Sequence, residues 1–222
     1  MGSLNSKPWG EGQEYVITTN EIMKRAKTGD LILFQGQGPD ARFIRCMSVS
    51  NEWSHVGVVI EHENEKLITE AYPTVIDKDV IRDTEHKGVQ FVSLRKRLET
   101  YPSGCVAYRP LEGKKVDSTK TQRFITWFKD LPGYMIPQYN KNWWDFYEFG
   151  TGTDDDDNIH KGIKYYVCTS WAAEVLMELK VLNKTVEPGN YLLSDYGMTY
   201  RPIPTTNKGY SYGCIYYQIL SK

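Results

Sequence analysis

The sequence contains no long apolar run, no clear excess of charge of one sign and few cysteines. Its 27 lysines and arginines nearly balance its 28 aspartates and glutamates, which gives a formal net charge of −1. The basic residues form no dense stripe, so we expect no nucleic-acid partner. No apolar run approaches the roughly 20 residues that a membrane-spanning helix needs, and the N-terminus lacks the apolar core of a secretory signal. We therefore expect a cytoplasmic protein with reduced thiols.

The four cysteines are too far apart in the sequence to indicate a metal site. Cys46, Cys105, Cys168 and Cys214 form no C-x-x-C pair and no cysteine–histidine cluster with the spacing of zinc ligands. We expect neither a structural metal nor another cofactor.

Length and composition predict one domain. A chain of 222 residues can bury one sizeable core, and no Gly/Ser-rich linker divides this one. We expect a flexible N-terminal segment at residues 1–17 and a single domain at residues 18–222, with a loop insertion at residues 139–163. The insertion contains an acidic run at residues 154–157 that lacks the alternating ligands of an EF-hand loop, so a solvated loop tip is the favoured interpretation.

The N-terminus fits the myristoylation pattern. Gly2 follows the initiator methionine, and Ser6 lies four positions after it. A single myristoyl chain without a polybasic patch would give weak and reversible membrane association. The start Met1-Gly2-Ser3 is also typical of an engineered N-terminus, so a disordered end without a lipid is the alternative interpretation.

Cys168 lies where an apolar approach turns into a helix. Apolar residues then recur at steps of three and four, which predicts an amphipathic helix that begins at or beside the cysteine: Trp171, Ala172, Val175, Leu176, Leu179 and Leu182. Thr169 and Ser170 are suited to cap its first turn. The positive end of a helix and a nearby histidine favour the thiolate form of a cysteine, which is the nucleophilic form. A buried structural cysteine is the alternative.

His55 is the candidate general base. It lies in the stretch WSHVGVVI, which is too apolar for a half-exposed strand and predicts a central one. Because side chains alternate along a strand, His55 shares a face with Gly57, and the glycine leaves room for another group to approach. A hydrogen-bonded core histidine is the alternative interpretation.

Glu70 is the candidate partner of His55. Residues 61–66 predict a polar turn and residues 67–71 a second strand, so the two strands are expected to form a hairpin. With a four-residue loop at residues 61–64, Ile60 pairs with Glu65 and His55 lies opposite Glu70 on one face. A loop longer or shorter by one residue would put the two side chains on opposite faces and leave Glu70 as an exposed carboxylate.

The other three cysteines are predicted to be packed and unreactive. Residues 41–50 predict a short helix in which Cys46 faces inward, and residues 104–111 predict a strand that contains Cys105. Residues 210–220 alternate as one strand with Cys214 inside it. Thiols in such positions are expected to be protonated and shielded.

Four short motifs occur in a recognisable order: Gly29-Asp30, Ser54-His55-Val56-Gly57, Thr69-Glu70-Ala71 and Tyr166-Val167-Cys168-Thr169-Ser170. In this order they resemble the circularly permuted NlpC-type papain-like cysteine hydrolases, the YiiX-like group that includes relatives of lecithin:retinol acyltransferase. The resemblance implies an α+β fold in which an antiparallel sheet or barrel packs against the cysteine-bearing helix. It implies Cys168 as nucleophile, His55 as base and Glu70 as the residue that orients the imidazole. Residues 140–161 look longer than the family core needs.

The residues and the resemblance predict a cysteine hydrolase that acts through an acyl-enzyme. We expect a peptidase or amidase with a peptide or acyl substrate. A lipid-acting thiol acyltransferase or phospholipase is the first alternative, and it would need a hydrophobic groove. A binding module of the same fold, without a reactive thiol, is the second. Fold alone does not choose among these functions.

Overall fold

The structure is a computed structural model, and it describes residues 16–47, 52–101, 105–132, 138–139, 165–198 and 203–219. Several predictions fall outside these residues: the lipidation of Gly2, the acidic run at residues 154–157 and almost all of the insertion at residues 139–163. Among the helices that the structure describes, none combines the length and apolar character that a bilayer crossing requires.

Seven strands form the main sheet, and four more form two small pairs. The main sheet consists of β1 (Val16–Thr18), β2 (Leu31–Gln35), β3 (His55–His62), β4 (Glu65–Tyr72), β5 (Gly88–Ser93), β6 (Cys105–Arg109) and β11 (Tyr216–Ile219). The pairs are β7 (Leu111–Gly113) with β10 (Tyr210–Tyr212), and β8 (Gln138–Tyr139) with β9 (Tyr165–Tyr166).

Six α-helices and a short 3₁₀ helix at Pro188–Asn190 complete the described structure. The helices are α1 (Thr19–Arg25), α2 (Pro39–Met47), α3 (Leu94–Thr100), α4 (Ser118–Asp130), α5 (Cys168–Glu178) and α6 (Leu193–Gly197). We call α5 the cysteine helix, because Cys168 is its first residue.

The α+β class is confirmed, and the barrel alternative is wrong. The strand order is β1-β11-β6-β2-β3-β4-β5, and every pair in it is antiparallel except β1 with β11. Over the described ranges β1 and β5 are the two edges and do not pair with each other, so the sheet is open. The permuted papain-like connectivity stays a prediction.

Each face of the sheet is covered by a separate apolar core. The larger core lies on the face that packs against α4 and the cysteine helix, and it includes Val58, Phe128 and Trp171. The smaller core includes Ile22 of α1 and Leu98 of α3. Because both faces are covered, a strand in the middle of the sheet must be apolar on both sides, which explains the continuous apolar run in β3.

β3 is central, as predicted. It lies between β2 and β4, and its first six residues, from His55 to Ile60, are all buried. The room that Gly57 leaves is filled from within the sheet, because a Cβ atom there would lie 2.6 Å from Cδ1 of Ile68. The group that approaches this glycine is therefore Ile68, a core side chain of the neighbouring strand β4.

Three other predictions need correction. Val16 and Ile17 belong to β1 and pair with β11, so the ordered chain extends into the segment 1–17. The stretch 210–220 contains two strands, β10 and β11, which belong to different sheets. Cys46 is exposed on α2 and does not pack inward. A short helix at the protein surface places some of its residues toward solvent, and the apolar pattern of this segment was too brief to orient it.

Candidate active site

The cysteine helix begins at Cys168. Val167 is its N-cap, with extended backbone angles, and its carbonyl oxygen accepts the first helical hydrogen bond from the Trp171 N–H at 2.9 Å. The Ser170 hydroxyl accepts from the Val167 N–H at 3.0 Å and so fixes the turn into the helix. The backbone N–H of Cys168 is one of the first four of the helix, which have no partner within it. The Cys168 side chain therefore lies at the positive end of an 11-residue helix.

His55 and Glu70 form a buried hydrogen-bonded pair. The Nε2 atom of His55 lies 2.5 Å from Oε2 of Glu70, and the Glu70 side chain is completely buried. Phe34 and Tyr72 contact the imidazole ring, with ring centroids 5.5 and 5.2 Å away. These contacts hold the ring in one orientation.

Cys168 interacts with the same imidazole. The Cys168 side chain is close enough to the imidazole to raise the pKa of His55, and because Glu70 occupies Nε2, Nδ1 is the ring nitrogen that remains for the sulfur. The structure thus brings the three predicted residues together in the order Cys168, His55, Glu70. This is the arrangement that nucleophilic catalysis by a thiol requires: a nucleophile, a base beside it and a third group that orients the base.

The surroundings of His55 favour its protonated form. Burial lowers the pKa of His55, but its interactions with Cys168 and then with Glu70 outweigh burial and raise the pKa to about 9. Burial raises the pKa of Glu70, whereas the charge of Arg97 and the contact with His55 lower it below its ordinary value. At neutral pH the imidazole is therefore protonated and the carboxylate is ionised.

The predicted hairpin register is wrong by two residues, and its conclusion survives. The turn contains only Glu63 and Asn64, whose positive φ angles of 48° and 68° are those of a tight two-residue hairpin turn. The β3–β4 pairing runs from the Val58–Thr69 pair to the His62–Glu65 pair next to the turn. A shift of two residues leaves every side chain on its predicted face, because the side-chain period of a strand is two.

The Cys–His–Glu contact lies beyond this ladder. The pairing of β3 with β4 begins at Val58, so His55 belongs to the three residues that precede it. Glu70 belongs to the last three residues of β4, which pair with β5 instead. Because His55 is the first residue of its strand, it lies where the start of the cysteine helix can reach it.

Arg97 contacts the site and was not predicted. Its guanidinium donates from Nε to Oε1 of Glu70 at 2.8 Å and from Nη2 to Oε2 at 2.9 Å. The sequence did contain a signal: Arg97 lies three residues after Leu94 and next to Leu98, on the face of α3 that is buried. A charged residue at an apolar position of a helix is rarely buried without a partner, and here that partner is Glu70.

Two buried carboxylates lie outside this site. Among the described residues, no three histidine, cysteine, aspartate or glutamate side chains are grouped so that they could hold a metal ion. Asp30 and Asp79 are buried but are occupied by hydrogen bonds from backbone N–H groups, such as Leu111 to Asp30 at 2.7 Å and Ile81 to Asp79 at 2.8 Å. Both carboxylates therefore have a structural explanation.

Comparison with known proteins gives a limited result. No protein-family profile and no curated sequence matches this chain. A solved structure similar to it is described as the crystal structure of the metalloprotein yiiX from Escherichia coli O157:H7. The alignment covers 70% of this chain and 67% of that chain, with 16% identity and a TM-score of 0.44. Membership of the permuted papain-like hydrolases stays a prediction.

Proposed function

We propose that the chain is a cysteine hydrolase that acts through an acyl-enzyme, most readily on amides. The observation that carries this proposal is the convergence of Cys168, at the start of the cysteine helix, with the hydrogen-bonded pair His55 and Glu70. A helix N-terminus and an imidazolium both favour a thiolate, and a thiolate is the nucleophilic form of cysteine.

In the proposed reaction the Cys168 proton resides on Nδ1 of His55, and the sulfur attacks the substrate carbonyl carbon. The Cys168 backbone N–H is one donor to the oxyanion that forms. The imidazolium then gives its proton to the leaving amine as the carbon–nitrogen bond breaks, which leaves a thioester on Cys168. Water attacks the thioester while His55 accepts its proton, and the sulfur leaves as the carboxylic acid is released.

The position of His55 beside Cys168 supports amides as the substrate class. An amine is a poor leaving group unless it is protonated, and a protonated imidazole next to the sulfur can supply that proton. The same Cys–His chemistry serves a lipid-acting thiol acyltransferase or phospholipase, in which an ester is cleaved or an acceptor replaces water. A binding module of this fold would have no use for a base held beside Cys168.

The reactivity of the four cysteines tests the proposal. Cys46 is exposed and Cys168 is buried, so accessibility alone predicts that a limiting amount of iodoacetamide labels Cys46 first. We expect Cys168 to be labelled first at neutral pH, as measured by peptide mapping. His55→Ala should slow the labelling of Cys168 by roughly 10²-fold or more, and Glu70→Ala should slow it less. Cys46 in the same molecule is the control, because its rate should not change.

A second measurement separates the candidate functions. An activated acetyl ester should leave an acetyl group on Cys168, visible by intact mass, and Cys168→Ala should abolish it. Competition between a peptide mixture and phospholipid vesicles then distinguishes an amidase from a lipid-acting enzyme. If Cys168 reacts no faster than Cys46 and no acetyl adduct forms, the hydrolase proposal fails and the binding module is the better explanation.

A further inference from the structure

Arg97 is held against Glu70 by a buried two-point contact. Both guanidinium bonds to the carboxylate are shorter than 3 Å, at 2.8 and 2.9 Å, and the Arg97 side chain is 5% exposed. The Oε2 atom of Glu70 accepts from Arg97 and also contacts His55. Arg97 is thus connected to Cys168 through two intervening side chains, and it does not touch the reacting atoms.

Three aromatic rings surround the guanidinium. Its Cζ atom lies 4.8 Å from the ring centre of Phe34, 5.0 Å from that of Tyr72 and 5.2 Å from that of Tyr101. The rings interact favourably with the cation and replace water around it. Such a shell fixes the plane of the guanidinium, and it makes any unbalanced charge in the site costly because little water can solvate it.

A count of charges shows what Arg97 adds. In the reactive form the Cys168 thiolate, the His55 imidazolium and the Glu70 carboxylate sum to −1. The guanidinium brings the sum to zero. Among the described residues, the other polar side chains that face these four are one amide and three phenols: Gln90 lies opposite Glu70 on β5, Tyr72 and Tyr101 face Arg97, and Tyr196 of α6 faces Cys168.

We propose that Arg97 is a positioning residue whose charge makes the thiolate–imidazolium form of the site electrically neutral. The inference rests on the proposed function, because it concerns the state in which Cys168 is reactive. Without the guanidinium, the reactive form would be a buried site with a net charge of −1. With the proton kept on the thiol, the His55 imidazolium and the Glu70 carboxylate would sum to zero. The neutral thiol form would therefore be favoured, and Cys168 would become reactive only at higher pH.

The pH profile of Cys168 labelling tests the charge of Arg97 separately from its shape. An opposite charge within about 4 to 6 Å shifts a titration by about 1 to 3 pH units. Arg97 acts on Cys168 across two intervening side chains, so in Arg97→Met we expect the rise in the labelling rate to move to higher pH by about half a unit to one unit. Arg97→Lys keeps the charge and loses the two-point contact, so its rise should stay near that of the wild type while its maximal rate falls.

A second pair of variants keeps the test decisive if Arg97→Met does not fold. Glu70→Gln leaves Arg97 unpaired and gives the reactive form a net charge of +1. The double variant Glu70→Gln, Arg97→Met returns the net charge to zero. The two proteins differ only at Arg97, and the rise should lie at higher pH in the double variant. Circular dichroism checks that each variant is folded.

Two negative outcomes have different meanings. If wild-type Cys168 is not preferentially labelled, the proposed hydrolase function itself fails. If wild-type Cys168 is reactive and loss of Arg97 lowers the rate or the stability without moving the pH profile in either pair of variants, Arg97 has only a structural role and this inference is overturned.

Discussion

Trp171 of the cysteine helix donates its indole N–H to the hydroxyl of Thr69 on β4, at 2.9 Å. Both groups are buried, and Thr69 immediately precedes Glu70. Because neighbouring strand residues point to opposite faces, the cysteine helix is tied to β4 on one face while Glu70 meets His55 on the other. This hydrogen bond therefore fixes the position of the nucleophile relative to the strand that carries its orienting carboxylate.

Thr69→Val should weaken both the fold and the site. Valine has nearly the same shape and lacks the hydroxyl, so the buried indole N–H loses its acceptor at a cost of about 1 to 3 kcal/mol in the free energy of unfolding. The looser helix should also slow Cys168 labelling. Urea unfolding and thiol labelling measure the two effects. Thr69→Ser keeps the acceptor and is the matched control, expected to retain the wild-type labelling rate; equal rates in both variants would contradict the proposed coupling.

The main features of the site could be predicted because they follow from local patterns. The spacing of apolar residues after Cys168 placed the helix start correctly, and the predicted hairpin register placed His55 and Glu70 on one face. The face assignment held even with the wrong turn, since the error in register was an even number of residues. A turn of three or five residues would have reversed it.

The remaining features depend on partners that no local pattern identifies. The position of Arg97 on the apolar face of α3 indicates that it is buried, but Glu70, the carboxylate that it contacts, lies 27 residues away along the chain. Whether the sheet closes depends on edge strands such as β1, whose three residues give little signal. The exposure of Cys46 could not be predicted for the same reason, because the residues that pack on one face of α2 decide which face is exposed.

The charged site should make protein stability depend on pH. The pKa of His55 is raised from 6.5 to about 9, so its charged form stabilises the fold fully below pH 6.5, and this contribution is lost as the pH rises toward 9. His55→Ala should abolish that decline in the free energy of unfolding, measured with urea over this range. Cys168→Ser should move the decline to lower pH, because the electrostatic interaction with Cys168 is the largest contribution that raises the pKa of His55. An unchanged decline in Cys168→Ser would contradict the contact with His55.

Asp30 should make stability depend on pH in a lower range and through a different mechanism. Its carboxylate accepts hydrogen bonds from the Tyr108 hydroxyl at 2.7 Å and from the N–H groups of Lys27 and Leu111. Burial outweighs these bonds and raises its pKa to about 6, so the contribution of Asp30 to stability falls as the pH rises from 3.8 to 6.

Tyr108→Phe should therefore destabilise the protein most at neutral pH. It removes a donor to the ionised carboxylate, at a cost of about 1 to 3 kcal/mol in the free energy of unfolding. Below about pH 4 the carboxyl is protonated in both proteins and the difference should shrink. Urea unfolding at the two pH values measures it. An equal loss at both values would mean that Tyr108 acts through packing alone.

Substitution of Gly57 shows whether the space beside this glycine is needed by Ile68 or by a ligand of the site. A Cβ atom at Gly57 would lie 2.6 Å from Cδ1 and 2.8 Å from Cγ1 of Ile68. Gly57→Ala should therefore cost about 1 to 3 kcal/mol in the free energy of unfolding through overpacking. In an Ile68→Val background, which lacks Cδ1, the same substitution should cost less, and a double-mutant cycle with urea unfolding measures the difference. An equal cost in both backgrounds would mean that Gly57 does not make room for Ile68. If Gly57→Ala leaves stability unchanged and impairs only Cys168 labelling by a bulky reagent, the glycine makes room for a ligand.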